Sequence, residues 1–274
     1  MLEKWLKRKE RKKQKKSYMA LEIKNALKRD EFEIFLQPQV SVRSEDITGF
    51  EALIRWRHPQ KGILNPGVFM PIIYALELGE SLDYLVFMKV CAFLQKRQKE
   101  QKKLFRISCN FVREHFMKED FVKKLFEICK EYEVSPRYLA VEILEGSGVL
   151  KEEIVQENIA KLHALGFEVY LDDCGAENSN MGDLIFHSIT HIKIDKKLID
   201  YVEREHVQIL LQGLCTIAHK LSYQVVCEGV ETQKQLEIVK KCGADFVQGF
   251  YFYRPMQAVH AGILYDKEEG VDFW

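Results

Sequence analysis

None of the seven cysteines forms a Cys-x-x-Cys pair. An odd count without that spacing argues against a disulfide framework or a zinc site and suits reduced thiols in the cytoplasm. No apolar run approaches the roughly 18–20 residues that span a bilayer, and the N-terminus lacks the apolar core of a secretory signal. The eight histidines show no metal-ligand spacing, and His58, His163, His187 and His219 read as surface or packing residues. A Gly-rich phosphate loop, His-Glu-x-x-His and Gly-x-Ser-x-Gly are all missing, and Gly146–Ser147–Gly148 is too short for a nucleotide fingerprint. Net charge is missing too. The 41 bases balance 41 acids, so the chain as a whole makes no electrostatic case for nucleic acid.

The balance hides an asymmetry: residues 1–16 hold nine Lys/Arg against two Glu, a net of +7, leaving about −7 for the remainder. Residues 1–30 read as a basic helical linker, with Met19, Ile23, Ala26 and Leu27 as an apolar stripe at helical spacing. From residue 32 the pattern changes to β-rich runs: Phe32–Val42, Thr48–Trp56, Phe105–Asn110, Leu139–Ile143, Glu168–Asp172, His191–Ile194, Gln224–Cys227 and Phe246–Gln248. Helical stretches fall between them at Pro66–Leu78, Leu82–Gln101, Asp120–Glu131, Lys151–Leu165, Asn180–His187, His206–Leu221 and Thr232–Lys241. Only the first two runs lack a helix between them, and that short link suits an antiparallel pair. The rest implies a parallel sheet with right-handed crossovers. Eight strands with an outer ring of helices fit an α/β fold, a (β/α)8 TIM-like barrel over residues 31–258, with 259–274 as a C-terminal tail. A doubly wound open sheet is the alternative, but its glycine-rich first turn is not found.

The polar residues fall at strand ends. Glu51 precedes Arg55 on the second run, and Asn110 ends the third. Glu142 lies on the fourth with Glu145 just beyond, and Asp172 and Asp173 end the fifth. Lys193, Glu228 and Gln248 follow on the last three. In an α/β barrel the C-terminal strand ends share one face, where catalytic groups from several strands collect. One such residue is ordinarily a helix cap or a solvated edge; seven strands in succession are hard to explain that way. Several carboxylates with one lysine leave negative charge that divalent cations would settle. The donors are oxygen only, which favours magnesium or manganese over zinc or copper. Asp172 is placed to bridge two ions about 3.5–4 Å apart, the spacing of sites that cleave phosphate esters.

Glu51–Ala52–Leu53, continuing Ile54–Arg55–Trp56, resembles the signature of the EAL domain, the bacterial cyclic di-GMP phosphodiesterases. The resemblance runs from about Phe32 to Pro255. It takes in Gln37–Pro38, His58–Pro59, Gly62, Asn110, Glu142-x-x-Glu145 and Asp172–Asp173-x-Gly175. It continues through Lys193–Ile194–Asp195, Glu228–Gly229–Val230–Glu231–Thr232 and Gln248–Gly249. The family's barrel has an antiparallel first strand. By resemblance, Glu51, Asn110, Glu142 and Asp172 hold one metal, and Asp172, Asp173 and Glu228 a second, each Mg²⁺ or Mn²⁺. Lys193 and Gln248 then hold the attacking water and the phosphate, Gln37 and Arg55 contact the dinucleotide, and Glu145 anchors the loop after the paired aspartates. The implied activity is opening of one phosphodiester to the linear dinucleotide in cytoplasmic second-messenger signalling. Implied partners are cyclic di-GMP, an upstream sensor or GGDEF-type domain and a second copy of the chain, with no DNA.

The sequence departs from the family after the paired aspartates. The usual Asp-Asp-Phe-Gly-Thr/Ser-Gly-Tyr-Ser-Ser becomes Asp172–Asp173–Cys174–Gly175–Ala176–Glu177–Asn178–Ser179–Asn180. Glu177 replaces a glycine that a tight loop uses at positive φ, and Leu144 replaces a threonine. The alternative expectation is therefore a catalytically weak or inactive EAL domain that senses cyclic di-GMP or a protein.

Overall fold

Strand β1 (Phe32–Ser41) runs against both of its barrel neighbours. It pairs with β2 (Ile47–His58) from Phe32↔Trp56 to Val40↔Ile47, with a register shift between Gln39 and Val40. A short β3 (Gly62–Leu64), not apparent in the sequence pattern, folds back on β2. Strands β4 (Arg106–Phe111), β5 (Leu139–Ile143), β6 (Glu168–Cys174), β7 (His191–Ile194), β8 (Gln224–Glu228) and β9 (Phe246–Gln248) then run parallel in sequence order, beginning beside β2. Val40↔Val247 closes the eight-stranded barrel, and β10 (Met256–Gln257) extends the β1 edge. The computed structural model describes residues 19–144, 153–175, 184, 188–268 and 270.

Helices surround the strands: α1 (residues 19–28), α2 (Pro66–Ala75), α3 (Gly79–Lys99), α4 (Phe121–Glu131), α5 (Glu153–Ala164), α6 (Lys196–Ile199), α7 (Glu205–Lys220), α8 (Gln233–Cys242) and α9 (Ala258–Glu268). The β5 strand is buried at every position, as expected where one face meets the barrel interior and the other meets helices. Helix α8 shows why its boundaries were legible. Thr232 and Gln235 form a reciprocal capping box at its start, and Gly243 at φ 100° ends it. The helix expected over Asn180–His187 lies almost wholly outside the described residues.

Two apolar clusters hold the elements together. The larger fills the barrel and its helix layer. The smaller gathers Phe32, Trp56, Phe69, Ile73 and Leu82, and receives Ile23 and Ala26 of α1, both fully buried. The stripe expected on residues 19–27 is thus a docking face. Residues 1–16 lie outside the described residues. The sequence suggests a tail from residue 259, but residues to 268 continue α9. Its Tyr265 ring packs 4.7 Å from that of Phe105, and its buried Asp266 pairs with the buried Arg97 of α3. All seven cysteines are buried, and none is in a disulfide among the described residues. No helix among the described residues is long and apolar enough to cross a membrane.

Candidate active site

Strand register brings the polar side chains into one layer, through the antiparallel β1–β2 pair and the parallel pairs that follow. Gln37 pairs with Glu51, Asn110 with Glu142, and Glu228 with Gln248, each on adjacent strands. Gln37, Glu51, Glu228 and Gln248, with Asp172 and Phe250, line a cleft of about 330 Å³. Lys193 stands at its centre. The ammonium lies 2.6 Å from Glu228, 2.7 Å from Glu142, 3.3 Å from Asp172 and 3.5 Å from Glu51.

Burial alone would discharge the ammonium, but Asp172, Glu142, Glu228 and Glu51 outweigh it and hold the lysine pKa well above its ordinary value. The carboxylates respond unequally. Burial pushes Glu142 up to about 8 despite Lys193, and pushes Glu228 well up for the same reason. Burial opposes ionisation of Glu51 too, yet Lys193, Gln248 and Asn110 prevail and its pKa is lowered. Asn110 Nδ2 donates to Glu51 Oε1 at 2.8 Å. Of Glu51, Glu142 and Glu228, only Glu51 has its charge favoured by the surrounding donors.

Four carboxylates meeting one ammonium fit the expected divalent cations in chemistry. Every donor atom is oxygen, and the buried Glu142 Oε1 and Asn110 Oδ1 have no hydrogen-bond partner among the described residues. Orphaned buried acceptors are costly and point to a missing positive partner. The placement differs from a coordination shell, however. Among the described residues no three Asp, Glu, His or Cys side chains stand in metal-holding geometry, and the four acids lie around Lys193. Six of the expected ligands and donors, Glu51, Asn110, Glu142, Asp172, Glu228 and Lys193, come together in this layer. The backbone of Asp173 follows Asp172 on β6, while its side chain and Glu145 lie outside the described residues.

The remaining expected residues divide. Gln248 and Gln37 belong to the layer, 3.2 Å apart from Nε2 to Oε1. Arg55 does not line the cleft; its guanidinium lies 5.5 Å from the centre of the Phe35 ring and donates to Ile54 O. Gln39 was not apparent from sequence. It is buried beneath the cleft and donates to Gln248 Oε1 at 3.1 Å. Its signal is the Gln37-x-Gln39 spacing, which puts both amides on one face of a strand. Gly249 reflects crowding behind Gln248, since a Cβ there would stand 2.1 Å from Val230 O.

A profile of the EAL domain matches residues 20–255. The chain belongs to the EAL domain family. It is 28% identical over 236 residues to PdeN of Escherichia coli (strain K12), named a probable cyclic di-GMP phosphodiesterase, covering 86% of this chain and 45% of that protein. It is 27% identical over 237 residues to the oxygen sensor protein DosP of the same organism, covering 86% of this chain and 30% of that one. The chain thus spans less than half the length of these curated relatives. A solved EAL domain protein from Listeria monocytogenes EGD-e superposes with a TM-score of 0.78 and 28% identity, over 90% of this chain and 97% of its own. This EAL domain has the barrel and the antiparallel first strand that its sequence implies.

Proposed function

We propose that this EAL domain hydrolyses one phosphodiester bond of cyclic di-GMP, releasing the linear dinucleotide, with the help of two divalent cations, magnesium or manganese. The observation that carries this reading is the convergence of Glu51, Glu142, Asp172 and Glu228 on one point beside an open cleft that Glu51, Asp172 and Glu228 line. The naming of PdeN as a probable cyclic di-GMP phosphodiesterase supports the choice of substrate.

Glu51, Asn110, Glu142 and Asp172 would hold one cation, and Asp172, Asp173 and Glu228 the other. When bound, such ions lower the pKa of a water and offset charge developing on phosphorus. The chain's own groups have separate tasks. Lys193, whose ammonium lies among Glu228, Glu142, Asp172 and Glu51, acts as a positive donor beside the nucleophile. Gln248 would exchange one of the two N–H groups it gives to Gln37 and Glu51 for the phosphate, Gln37 contacts the dinucleotide, and Arg55 turns from Phe35 to reach it. Glu145 would anchor the loop that carries Asp173. Burial removes competing water, so each of these charges acts in a low dielectric where preorganised donors are most effective.

A second reading, a weak or inactive EAL domain that binds cyclic di-GMP or a protein and reports to an attached domain, is favoured by Cys174–Asn180. Glu177 brings a negative charge and a side chain where the family has glycine. One experiment separates the two. The protein is incubated with cyclic di-GMP and Mn²⁺ or Mg²⁺ and the linear product is sought by chromatography, with calorimetry for binding. Metal-dependent product supports the phosphodiesterase; tight binding without product supports the sensor.

A further inference from the structure

Three glutamines in the barrel interior form a chain whose polarity is determined at both ends. Gln37 Nε2 lies 3.3 Å from the backbone carbonyl of Tyr253, and Gln37 Oε1 lies 3.2 Å from Gln248 Nε2. The same Gln248 Nε2 meets Glu51 Oε2, and Gln248 Oε1 lies 3.1 Å from Gln39 Nε2. A backbone carbonyl can only accept, and so can an ionised carboxylate. Tyr253 therefore demands the amide nitrogen of Gln37, and Glu51 demands that of Gln248. The Gln248 carbonyl is left facing Gln39, which must donate to it. Gln37, Gln39 and Gln248 are 7%, 5% and 5% exposed, so bulk water does not take over that contact.

We infer that Gln39 is a positioning residue, whose amide N–H fixes the Gln248 carboxamide with its NH₂ turned to Glu51 and Gln37. The strand is shaped for this. Thr48 Oγ1 donates to Gln39 O, and the register of β1 shifts immediately after Gln39; such bulges re-aim side chains near functional sites. Without the Gln39 donor, Gln248 can flip and set its carbonyl against the Glu51 carboxylate and any bound phosphate. The inference rests on the proposed phosphodiesterase reading, in which the cleft takes a phosphodiester. The charged groups facing this point are Glu51, reached through Gln248, and Lys193, 3.5 Å beyond it.

Two variants test the role. Gln39→Met removes the donor at similar volume, while Gln39→Glu supplies a carboxyl that donates only when protonated. Binding of a phosphorothioate analogue of cyclic di-GMP, chosen to resist hydrolysis, is followed by calorimetry with Mn²⁺ across pH. Turnover of cyclic di-GMP is measured in parallel, and melting verifies folding. Gln39→Met should bind about tenfold more weakly at every pH, the effect of one lost buried hydrogen bond. Gln39→Glu should match the parent at low pH and weaken as its carboxyl ionises, a comparison internal to one folded protein. Gln39→Met within twofold of the parent, or Gln39→Glu following the parent's pH profile, overturns the positioning role alone. A parent that does not take up the analogue overturns the phosphodiesterase reading and this inference with it.

Discussion

The Lys193 ammonium lies 2.7 Å from Glu142 Oε2, and both residues are sealed from solvent, at 1% and 0% exposed. The lysine is the shared counter-charge of the whole acidic layer. Breaking such a buried arrangement from one side costs about 3–5 kcal/mol, because the acids are left without compensation. Lys193→Met should therefore melt well below the parent in EDTA, and Mn²⁺ should raise its melting midpoint more than the parent's. Equal midpoints in EDTA would show that Lys193 does not hold the layer together.

Asp172 is the acid proposed to serve both cations. Asp172→Asn should lower metal affinity at both positions and reduce turnover by about 10²–10³. Calorimetric uptake of Mn²⁺ as tight as the parent's would rule out the two-metal assignment.

The departures after Asp173 predict that binding and hydrolysis come apart. Rebuilding the loop with Cys174→Phe, Glu177→Gly and Asn178→Tyr should raise kcat far more than it changes Kd, the pattern of an interaction made mainly in the transition state. Glu177→Gly alone should recover part of the gain, since a side chain forced into a rare backbone conformation costs about 1–3 kcal/mol. Equal turnover before and after rebuilding would remove the weak-enzyme alternative.

The N-terminal segment offers a graded test. Deleting Met1–Lys16 should shift the melting midpoint by no more than about 1–2 °C, as for a solvated terminus. Deletion through Leu27 also removes Ile23 and Ala26, which are fully buried against the Phe32–Trp56 cluster. That loss should lower the midpoint by about 5 °C or more. A large effect from the shorter deletion would mean that the basic segment docks on the barrel.

At the opposite end of the strands, burial and then Arg106 hold His191 down to about 3, while its ring lies 4.2 Å from that of Tyr170. A depressed histidine leaves stability intact above the unfolded value of about 6.5 and loses it as pH falls towards 3, because only the unfolded chain takes the proton. The neighbouring Glu168, raised chiefly by burial, works in the opposite direction as pH falls. Replacing the histidine isolates its share. His191→Gln should lose about 2 kcal/mol less than the parent between pH 6.5 and 4.5 by urea denaturation; parallel losses would show that His191 is not the sensitive group.

Much of the barrel was legible in the sequence because strand and helix periodicities are local. Leu139–Ile143, His191–Ile194 and Phe246–Gln248 stand at the boundaries that the pattern predicts. Residues 62–64 and 258–268 were less legible. A three-residue hairpin strand has too few positions for alternation, and α9 is held by Tyr265 on Phe105 and Asp266 on Arg97, partners 160 and 169 residues away in sequence. The succession of polar residues at strand ends determined which side chains meet, since parallel register carries each strand's last residues to one rim. Tertiary structure alone decided how they meet. Arg55 turned onto Phe35 across the β1–β2 pair, while Lys193 became the centre of the acidic layer and Gln39 came to lie under Gln248 because the barrel closes, with β9 against β1, across the full length of the chain.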